Sequence, residues 1–459
     1  MSQTDLRPAP GAAPVPAHAA PGAPTVAGRP WGRLTLHPSL GVARVLGGVF
    51  LAGAVACTLL IVLDAAAAKS PLVPRQPTIA RWLHGAGSML DYKTFLFALL
   101  AMTACYAGAV WCSRAVPDRV AIGAIVLLHL VMLIGPVLLS QDVFQYIDYG
   151  RMGTLHGLNP YTHGPAAVHT DGVFRYVGKV WHFTPTVYGP VFTLLSYPLA
   201  LLGVDGALWG MKVLGVASSL ATITFVWLCA RRLGRNPVPS ALLIGVNPLL
   251  IIYGVGGSHN DLLMTALMMA GVWLVIRDQD GRGGAAIVAS AAVKATSAVI
   301  LPFILLGRRR LGLVSGSVIA VVVLTLVSYA IFGAHSLDVP SALKHQQNFV
   351  SSDSFPNEIA HLLGYPGVFP VDRLLLRVAS VIGALWLMWR TWRGYEWISA
   401  AAWTLLLVAV TTTWLLPWYL LWGLPLAVLS RDRRVLWATA AVSALFIVHQ
   451  TAPLFSPTS

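Results

Sequence analysis

The sequence predicts an all-α protein that crosses a lipid bilayer many times. Its 459 residues are 56% hydrophobic and only 10% charged, whereas soluble domains carry about 25% charged residues. Long apolar runs recur along the chain between short polar loops. They supply about eleven to thirteen crossings, because each span needs ~20 apolar residues. Short interfacial helices are expected where the outer loops are polar and aromatic.

Two parts of the chain differ in composition. Residues 1–40 are rich in Pro and Ala and contain three arginines. Such a segment cannot bury a core, so we expect a disordered tail, and its arginines place the N-terminus in the cytoplasm. Residues 41–459 are predicted to form a single multi-spanning transmembrane domain. No cleavable signal peptide is expected, since the first apolar run begins only near Gly41.

The basic balance of the chain, a formal net charge of +14, does not indicate a nucleic-acid partner. Most Lys and Arg residues lie in short loops between apolar runs, where they set the orientation of the spans. The cysteines all lie inside apolar runs and form no CxxC pair, which predicts free thiols rather than a disulfide framework. They are Cys57, Cys105, Cys112 and Cys229.

The order of the charges places two polar loops on the outer face. Three spans precede Ser140, and Arg114 and Arg119 before the third span are expected to be cytoplasmic. The third span therefore delivers residues 140–187 to the outside, and a later span delivers residues 333–372. Most histidines and acids fall outside in this topology, so we expect an extracytoplasmic active site built from these two loops.

Two apolar runs leave the topology open. Residues 188–203 are short for a span, and residues 285–306 are flanked by arginines at both ends. If both runs dip into the bilayer and return, about eleven segments cross and Gly256–Asp261 faces outward. If both cross, the count is about thirteen and that loop faces inward. The charge bias favours the first alternative.

The most informative segment, residues 140–165, reads SQDVFQYIDYGRMGTLHGLNPYTHGP. Its acids, Asp142 and Asp148, are ~240° apart around a helix, which argues against the converging carboxylates of a glycosidase. A transferase that inverts the anomeric centre needs only one base. Asp142 is favoured because partial burial at the end of a span raises a carboxyl pKa. The alternative is that Asp142 caps an interfacial helix with Ser140.

Aromatic and basic side chains near this segment are candidates for substrate binding. Tyrosine offers a flat apolar face to a sugar, and arginine offers a forked donor to a phosphate. For the tyrosines, anchoring at the membrane interface is an equal alternative. The candidates are Tyr146, Arg151, Tyr161 and Tyr188.

Two further polar positions interrupt apolar runs. In Gly256–Asp261, Ser258 and Asp261 are spaced as a capping box, which leaves His259 and Asn260 for a substrate or a structural polar role. Lys294 lies within an apolar run, where a lysine costs ~2.5–3.5 kcal/mol at mid-membrane. Its expected partner is a lipid phosphate or a protein carboxylate.

Positive groups in the second outer loop are also candidates for phosphate binding. Lys344 and His345 lie there, and a phosphate leaving group needs positive donors where its charge develops. No nucleotide-binding motif is present, so a sugar donor is expected to be lipid-linked. The histidines lack metal-ligand spacing. We therefore expect no cofactor, and a divalent metal is left open.

Five segments resemble one family of membrane glycosyltransferases. They are SQDVFQYIDYGRMGTLHGLNPYTHGP (140–165), VYGPVF (187–192), NPLLIIYGVGGSHNDLLM (247–264), AAVKATSAVILP (291–302) and LPWYLLWGLPL (416–426). Together they resemble the actinobacterial polyprenol-phosphate-mannose-dependent α-1,6-mannosyltransferases of the GT-C superfamily. In GT-C enzymes an acid in the first outer loop is the usual base, and the matching position here is Asp142. That loop follows the first span in the GT-C pattern and the third span here.

The resemblance implies an inverting transfer of mannose from polyprenyl-phosphate-mannose at the outer face of the bacterial plasma membrane. The acceptor is a lipid-anchored mannan or another glycolipid. Tyr146, Arg151 and Tyr188 are expected to line the sugar site, with Lys294, His345 and His259 serving the lipid phosphate.

Three alternatives stay open at this point. Related GT-C enzymes transfer arabinofuranose, glucose or galactose from similar lipids, and fold does not decide substrate. Broken helices around Lys294 also fit a non-enzymatic transporter or flippase for lipid-linked sugars. A hydrolase of lipid-linked sugars that uses Asp142 is the third alternative.

Overall fold

The computed structural model confirms the predicted all-α class. It describes residues 39–75, 83, 85–87, 92–337 and 349–451. Within these ranges all regular structure is helical and no strand is present. Residues 1–38 of the predicted tail lie outside the described residues, as do Lys344 and His345 of the second outer loop.

The α-helices are numbered here in chain order. They are α1 (Leu40–Ala65), α2 (Tyr92–Cys112), α3 (Asp118–Ile134), α4 (Asp142–Leu155), α5 (Pro190–Ala200), α6 (Gly203–Arg232), α7 (Pro237–Gly245), α8 (Asp261–Ile276), α9 (Asp280–Ala291), α10 (Leu301–Arg308), α11 (Leu311–Phe332), α12 (Phe355–Leu362), α13 (Pro370–Trp392), α14 (Trp397–Thr411), α15 (Leu424–Leu429) and α16 (Arg433–Thr451). A π-helix covers Leu249–Val255, and 3-10 helices cover Ala295–Ile300 and Pro417–Leu421.

Four described helices are long and apolar enough to cross a membrane, namely α1, α2, α6 and α11. A fifth candidate is α7 with the π-helix, a pair bent by 49°. Much of the remaining apolar sequence forms shorter helices, so several of the expected spans are broken rather than continuous. Proline and glycine explain such breaks, because they weaken or remove helical hydrogen bonds. Pro417 and Gly423 occupy such positions in the run that ends with α15.

The run 285–306 forms a hairpin rather than a straight span. Its arms are α9 and the 3-10 helix followed by α10, and the chain turns between Ala291 and Ala295. Ion pairs join the two bases: Asp278 lies 2.5 Å from Arg308, and Asp280 lies 3.1 Å from Arg310. Both ends of the run therefore lie on one side of the molecule, as the returning alternative requires.

A second hairpin runs from α14 through the 3-10 helix to α15. Its bases also meet, since the hydroxyls of Ser399 and Ser430 lie 2.6 Å apart. The Arg431 backbone N–H donates to the Glu396 carboxylate at 2.7 Å. The tip of this hairpin carries Trp418 and the aromatic residues that follow it.

The helix α4 belongs to the core. Every residue from Val143 to Gly150 is buried, because α4 packs against α5 and α6 on two sides. Gly150 allows the close approach, since a Cβ at this position would lie 2.6 Å from the Ser196 carbonyl oxygen. Tyr146 and Tyr149 are only 2% exposed. Interfacial anchoring therefore does not account for these two tyrosines.

Candidate functional site

Asp142 is the first residue of α4 and faces the turn that precedes α8. The Leu138 N–H donates to the Gly256 carbonyl at 2.9 Å, which fastens the approach to α4 onto that turn. The N-cap position is occupied by Gln141, which makes no side-chain capping bond. The Asp142 side chain is 18% exposed. Its carboxylate is therefore not used as a helix cap and remains accessible.

The turn before α8 holds His259 beside Asp142. The His259 ring stacks on Trp418 with 3.4 Å between centroids, and its Nδ1 lies 3.5 Å from Asp142 Oδ2. A Cβ on Gly257 would lie 2.4 Å from His259 Nε2, so the glycine makes room for the ring. Burial lowers the pKa of His259 well below its usual range. The imidazole is therefore neutral at physiological pH.

The capping box expected from Ser258 and Asp261 is wrong. The N-cap of α8 is Asn260, without a side-chain capping bond, and the Ser258 hydroxyl is buried without a hydrogen-bond partner among the described residues. Asp261 points elsewhere because Lys294 Nζ donates to its Oδ1 at 2.7 Å. The Trp422 indole N–H donates to the same oxygen at 2.6 Å.

Lys294 lies at the tip of the 280–308 hairpin. Of its two expected partners, the structure pairs it with a protein carboxylate, that of Asp261. Its ammonium also lies over the rings of Tyr419 and Trp422, at 4.7 Å and 5.3 Å from their centroids. The carboxylate and the two aromatic faces offset the cost of holding a cation among apolar helices.

The segment Tyr188–Pro190 docks onto this hairpin tip. The Gly189 N–H donates to the Val293 carbonyl at 3.0 Å. A Cβ on Gly189 would lie 2.1 Å from the Ala292 carbonyl oxygen, so the contact requires glycine. The Tyr188 ring meets the Tyr146 ring edge-on, with centroids 5.0 Å apart. Contacts between distant segments thus bring Tyr188 and Tyr146 to the site.

These contacts define the tip cluster. It consists of Asp142, Tyr146, Tyr188, His259, Asn260, Asp261, Lys294, Trp418, Tyr419 and Trp422. Tyr146 joins Asn260 through a hydroxyl-to-amide hydrogen bond of 3.4 Å. Six of the residues predicted from the sequence meet here, whereas Tyr161 and Arg151 lie beside or outside the cluster.

Tyr161 supports the cluster from outside it. Its hydroxyl donates to the Tyr188 carbonyl at 3.0 Å and lies 3.2 Å from the Thr193 hydroxyl. Its ring packs edge-on against Phe332 at the end of α11. Tyr161 therefore fixes the backbone that carries Tyr188.

Arg151 belongs to a separate ionic group, which we call the ionic clamp: Arg151, His156 and Asp171. Arg151 Nε donates to Asp171 Oδ1 at 2.8 Å, and His156 Nε2 lies 2.8 Å from Asp171 Oδ2. The clamp ties the C-terminal half of α4 to the loop that follows it. The structure does not bring Arg151 to the tip cluster.

The three acids of this region have different proton affinities. Burial raises the pKa of Asp142 to about 6, against the opposing charge of Lys294. Burial and the nearby Asp171 raise the pKa of Asp148 to about 8. Burial also disfavours the Asp171 anion, but hydrogen bonds from Arg151 and His156 prevail and lower its pKa to about 2. At neutral pH Asp142 is mostly ionised and Asp148 mostly protonated.

Sequence reasoning missed Asp261 and the aromatic residues Trp418, Tyr419 and Trp422. The sequence spacing places Asp261 in a helix cap, although the lone lysine in an apolar run indicates an anionic partner, either a lipid phosphate or a protein carboxylate. The aromatic residues lie in LPWYLLWGLPL, which contributed only to the resemblance. The sequence signal that could have found them is the close spacing of the three aromatic residues, at Trp418, Tyr419 and Trp422, within one short apolar segment.

A cavity of about 690 Å³ opens on the far side of the 184–190 segment. Its lining includes Tyr161, Tyr188, Ala292, Val321, Leu324 and His335. Much of its lining is apolar, and α11 forms one wall. Tyr188 is common to this cavity and the tip cluster.

Metal ligands do not converge in the part of the chain that the structure describes. No group of three or more His, Cys, Asp or Glu side chains is placed to hold an ion there. The expectation that the protein needs no cofactor stays a prediction.

Comparison with known proteins gives two family matches. A model of the family described as alpha-(1->6)-mannopyranosyltransferase, N-terminal domain, matches residues 45–309. A model of the MptB C-terminal domain matches residues 361–453. The first match covers more than half of the chain and includes every residue of the tip cluster that precedes Trp418.

Individual relatives carry the same description. Alpha-(1->6)-mannopyranosyltransferase A of Mycobacterium tuberculosis is 31% identical over 347 residues, which is 69% of this chain and 66% of the relative. The corresponding protein A of Corynebacterium glutamicum is 34% identical over 171 residues, 36% of this chain and 34% of the relative. Protein B of the same organism is 29% identical over 155 residues, 33% and 25% of the two chains. The alignments thus span 66% or less of these relatives' lengths. Because the family model matches more than half of the chain, the chain belongs to the alpha-(1->6)-mannopyranosyltransferase family.

Proposed function

We propose that the protein is an inverting glycosyltransferase. It moves mannose from a polyprenyl phosphate to a mannan or glycolipid acceptor held in the membrane. The observation that carries the proposal is the tip cluster: one accessible carboxylate, Asp142, lies close to a partly buried cation, Lys294, where segments that resemble the family meet. Membership of the family supports mannose as the sugar.

Asp142 is the general base of the proposed reaction. A carboxylate whose pKa is raised to about 6 is still ionised at neutral pH and accepts a proton better than an ordinary aspartate. It takes the proton of the acceptor hydroxyl while that oxygen attacks the anomeric carbon from the face opposite the phosphate. Asp261, the other carboxylate of the tip cluster, is engaged by Lys294 and Trp422.

Lys294 stabilises the phosphate that leaves. Its ammonium has three N–H donors, of which one is given to Asp261. Negative charge grows on the phosphate as its bond to the anomeric carbon breaks, and a donor already in place lowers the energy of that state. The Lys294 side chain is 14% exposed, which leaves the ammonium reachable by the donor lipid.

The cavity beside Tyr188 suits the prenyl chain. Its wall on α11 includes Val321 and Leu324, and other residues of α11, such as Leu326, are exposed. Exposed apolar side chains on a helix of this length fit contact with lipid. The chain would enter from the bilayer and place its phosphate near the Tyr188 end of the cavity.

The outer face is the proposed side of the reaction. Arginines lie at the bases of both hairpins, among them Arg308, Arg310 and Arg431. The positive-inside rule places such bases in the cytoplasm. Lys294 and Trp418 occupy the opposite ends of the same hairpins, so the rule favours an extracytoplasmic site.

The test is transfer by the purified protein in liposomes. Polyprenyl phosphate carrying labelled mannose is supplied with a mannan-lipid acceptor, and the product is digested with a mannosidase specific for α-1,6 linkages. We expect a labelled, digestible product from the lipid donor and none from nucleotide-linked mannose. Matched donors with arabinofuranose, glucose or galactose report the sugar preference.

Three outcomes contradict the proposal. Transfer from a nucleotide-linked donor rules out the lipid substrate. Translocation of the lipid-linked sugar without transfer identifies a flippase. Release of free mannose that added acceptor does not diminish identifies a hydrolase.

A further inference from the structure

His259 is buried without the hydrogen bonds that a core histidine normally makes. Both of its ring nitrogens are buried and lack a hydrogen-bond partner among the described residues. His129, also buried, shows the ordinary arrangement: Nδ1 lies 2.8 Å from the Ile125 carbonyl and Nε2 lies 2.8 Å from the Ser219 hydroxyl. Buried polar groups without partners are costly, so the position of His259 calls for an explanation.

The surroundings fix the orientation of the ring. Trp418 stacks on one face at 3.4 Å, and the backbone at Gly257 lies so close to Nε2 that no Cβ fits between them. The remaining nitrogen, Nδ1, faces Asp142 Oδ2 at 3.5 Å. The ring therefore presents one edge to the carboxylate and has little freedom to turn it elsewhere.

The charged and titratable groups around this pair keep the imidazole neutral. Burial disfavours imidazolium, and the positive charge of Lys294 adds to that effect. Asp261 and Lys294 form their own ion pair. Tyr146, Tyr188 and Tyr419 interact electrostatically with Asp142, and all three stay protonated because burial raises their pKa. A neutral imidazole with its proton on Nδ1 is a hydrogen-bond donor to the carboxylate.

We propose that His259 is a positioning residue for the base, and this inference rests on the proposed function. When donor and acceptor are bound, Nδ1–H closes onto Asp142 Oδ2 and holds the carboxylate so that Oδ1 faces the acceptor hydroxyl. The 3.5 Å separation fits a site without substrate, since catalytic hydrogen bonds often shorten only in the loaded enzyme. His259 itself takes up no proton and touches no reacting atom.

This role differs from phosphate binding, the role expected for His259 from the resemblance. The His259 side chain is fully buried, with 0% exposure, whereas Lys294 and Asp142 remain accessible. A phosphate would have to displace Gly257 to reach Nε2 or the Asp142 carboxylate to reach Nδ1. The carboxylate of Asp142 is already beside Nδ1.

The test is the pH profile of kcat, which reports the loaded enzyme, for mannosyl transfer by His259→Asn, His259→Gln and His259→Phe. A donor to the Asp142 anion lowers its pKa, so its loss in His259→Phe should move the acidic limb up by about one pH unit. kcat should fall roughly 10²-fold through misplacement of the base, with KM little changed. His259→Asn can place an amide N–H where Nδ1 lies in the wild type. It should therefore recover most of kcat and return the acidic limb close to its wild-type position, whereas His259→Gln should not. The control is His156→Asn, which removes a histidine beside another carboxylate and should leave the limb unmoved.

A second measurement does not depend on activity. The carboxyl band of Asp142 is titrated by infrared difference spectroscopy against Asp142→Asn, in the wild type and in the His259 variants, with a non-cleavable mannosyl phosphonate lipid and the acceptor bound. A titration shifted up in His259→Phe and restored in His259→Asn supports the inference. An unshifted titration overturns it even if transfer is confirmed, and a rise in KM with an unmoved limb identifies phosphate binding instead. Absence of transfer in the wild type refutes the proposed function, while the infrared result still decides whether the two side chains are bonded.

Discussion

Asp142 and Asp171 are carboxylates of the same polar segment, residues 140–187, yet they meet opposite surroundings. Asp171 receives Arg151 and His156 at 2.8 Å each, and its side chain is only 3% exposed. Asp142 has an ionisable neighbour, His259, at the longer distance of 3.5 Å and keeps 18% of its side chain exposed. The fully bonded acid holds the loop together, whereas the incompletely bonded acid is free to act on a ligand.

The hairpin around Lys294, taken with its flanking residues 278–310, shows the same contrast. At its bases Asp280 accepts from Arg310 and lies 3.5 Å from Arg308. At its tip Lys294 has a single carboxylate partner, Asp261, and remains partly exposed. Charged side chains at the base of the hairpin thus form several ion pairs that stabilise the fold. Charged side chains at the proposed site form few.

Asp142→Asn is expected to have the largest effect on transfer. The amide keeps the size of the side chain but cannot accept the proton, and a general base contributes 10²–10⁴-fold. We expect the initial rate of mannosyl transfer to fall about 10³-fold with unchanged thermal stability. Near-normal turnover in a well-folded variant would show that Asp142 is not the base. Asp142 and Asp171 would then not differ in function as proposed.

Lys294→Met is expected to have the second largest effect on transfer. It should lower transfer about 10²-fold through loss of charge at the leaving phosphate. It should also lower the melting temperature, because Asp261 becomes a buried and unpaired carboxylate. The double variant Lys294→Met/Asp261→Asn should regain most of the melting temperature but none of the activity. Recovery of activity in the double variant would show that the ion pair, and not the ammonium, matters.

Arg151→Gln should affect structure more than chemistry. Loss of a charged hydrogen bond costs ~1.5–3 kcal/mol, so we expect faster proteolysis of the loop after α4 and a transfer rate within severalfold of the wild type. Because the pKa of Asp171 is depressed to about 2, the clamp contributes stability above the ordinary aspartate pKa and loses it only as pH falls through about 2. A proteolysis series from pH 7 to pH 4 should therefore show little change in the wild type. A rate loss comparable to that of Asp142→Asn would place Arg151 in the active site after all.

Asp148→Asn is expected to have the smallest effect. With a pKa raised to about 8, Asp148 is largely protonated at neutral pH, and an amide resembles the protonated acid. A folded-state pKa above the unfolded value means that the wild type loses stability as pH rises from about 4 to about 8. The variant should lack this loss, so its melting temperature should fall less between pH 6 and pH 9, with transfer near normal. An equal fall in both proteins would show that Asp148 is ionised in the folded state.

The sequence allowed the proposed base to be chosen over its neighbour because position along a helix is a local property. The spacing of Asp142 and Asp148 shows that they do not share a helix face, and the place of Asp142 at the end of an apolar run favours it as the base. The hairpin around Lys294 was also among the expected alternatives, since arginines flank both ends of that run. These inferences depend on local sequence and do not require the tertiary contacts between segments.

The partners of these residues could not be predicted, because they come from distant parts of the chain. Asp261 and Trp422 are 161 residues apart in sequence and share a hydrogen bond. Arg151 was expected in the sugar site because nothing local revealed Asp171, 20 residues away. The burial of α4 on all sides likewise depends on α5 and α6, which its own polar and aromatic sequence does not indicate.

A structure with a non-cleavable donor tests the central claim most directly. The ligand is a polyprenyl phosphonate analogue that carries mannose. The account predicts the anomeric carbon beside Asp142, with room for an acceptor oxygen ~3–3.5 Å from it. It also predicts the phosphonate against Lys294 and the prenyl chain in the cavity along α11. A sugar bound at the ionic clamp, beside Arg151 and Asp171, would contradict the account.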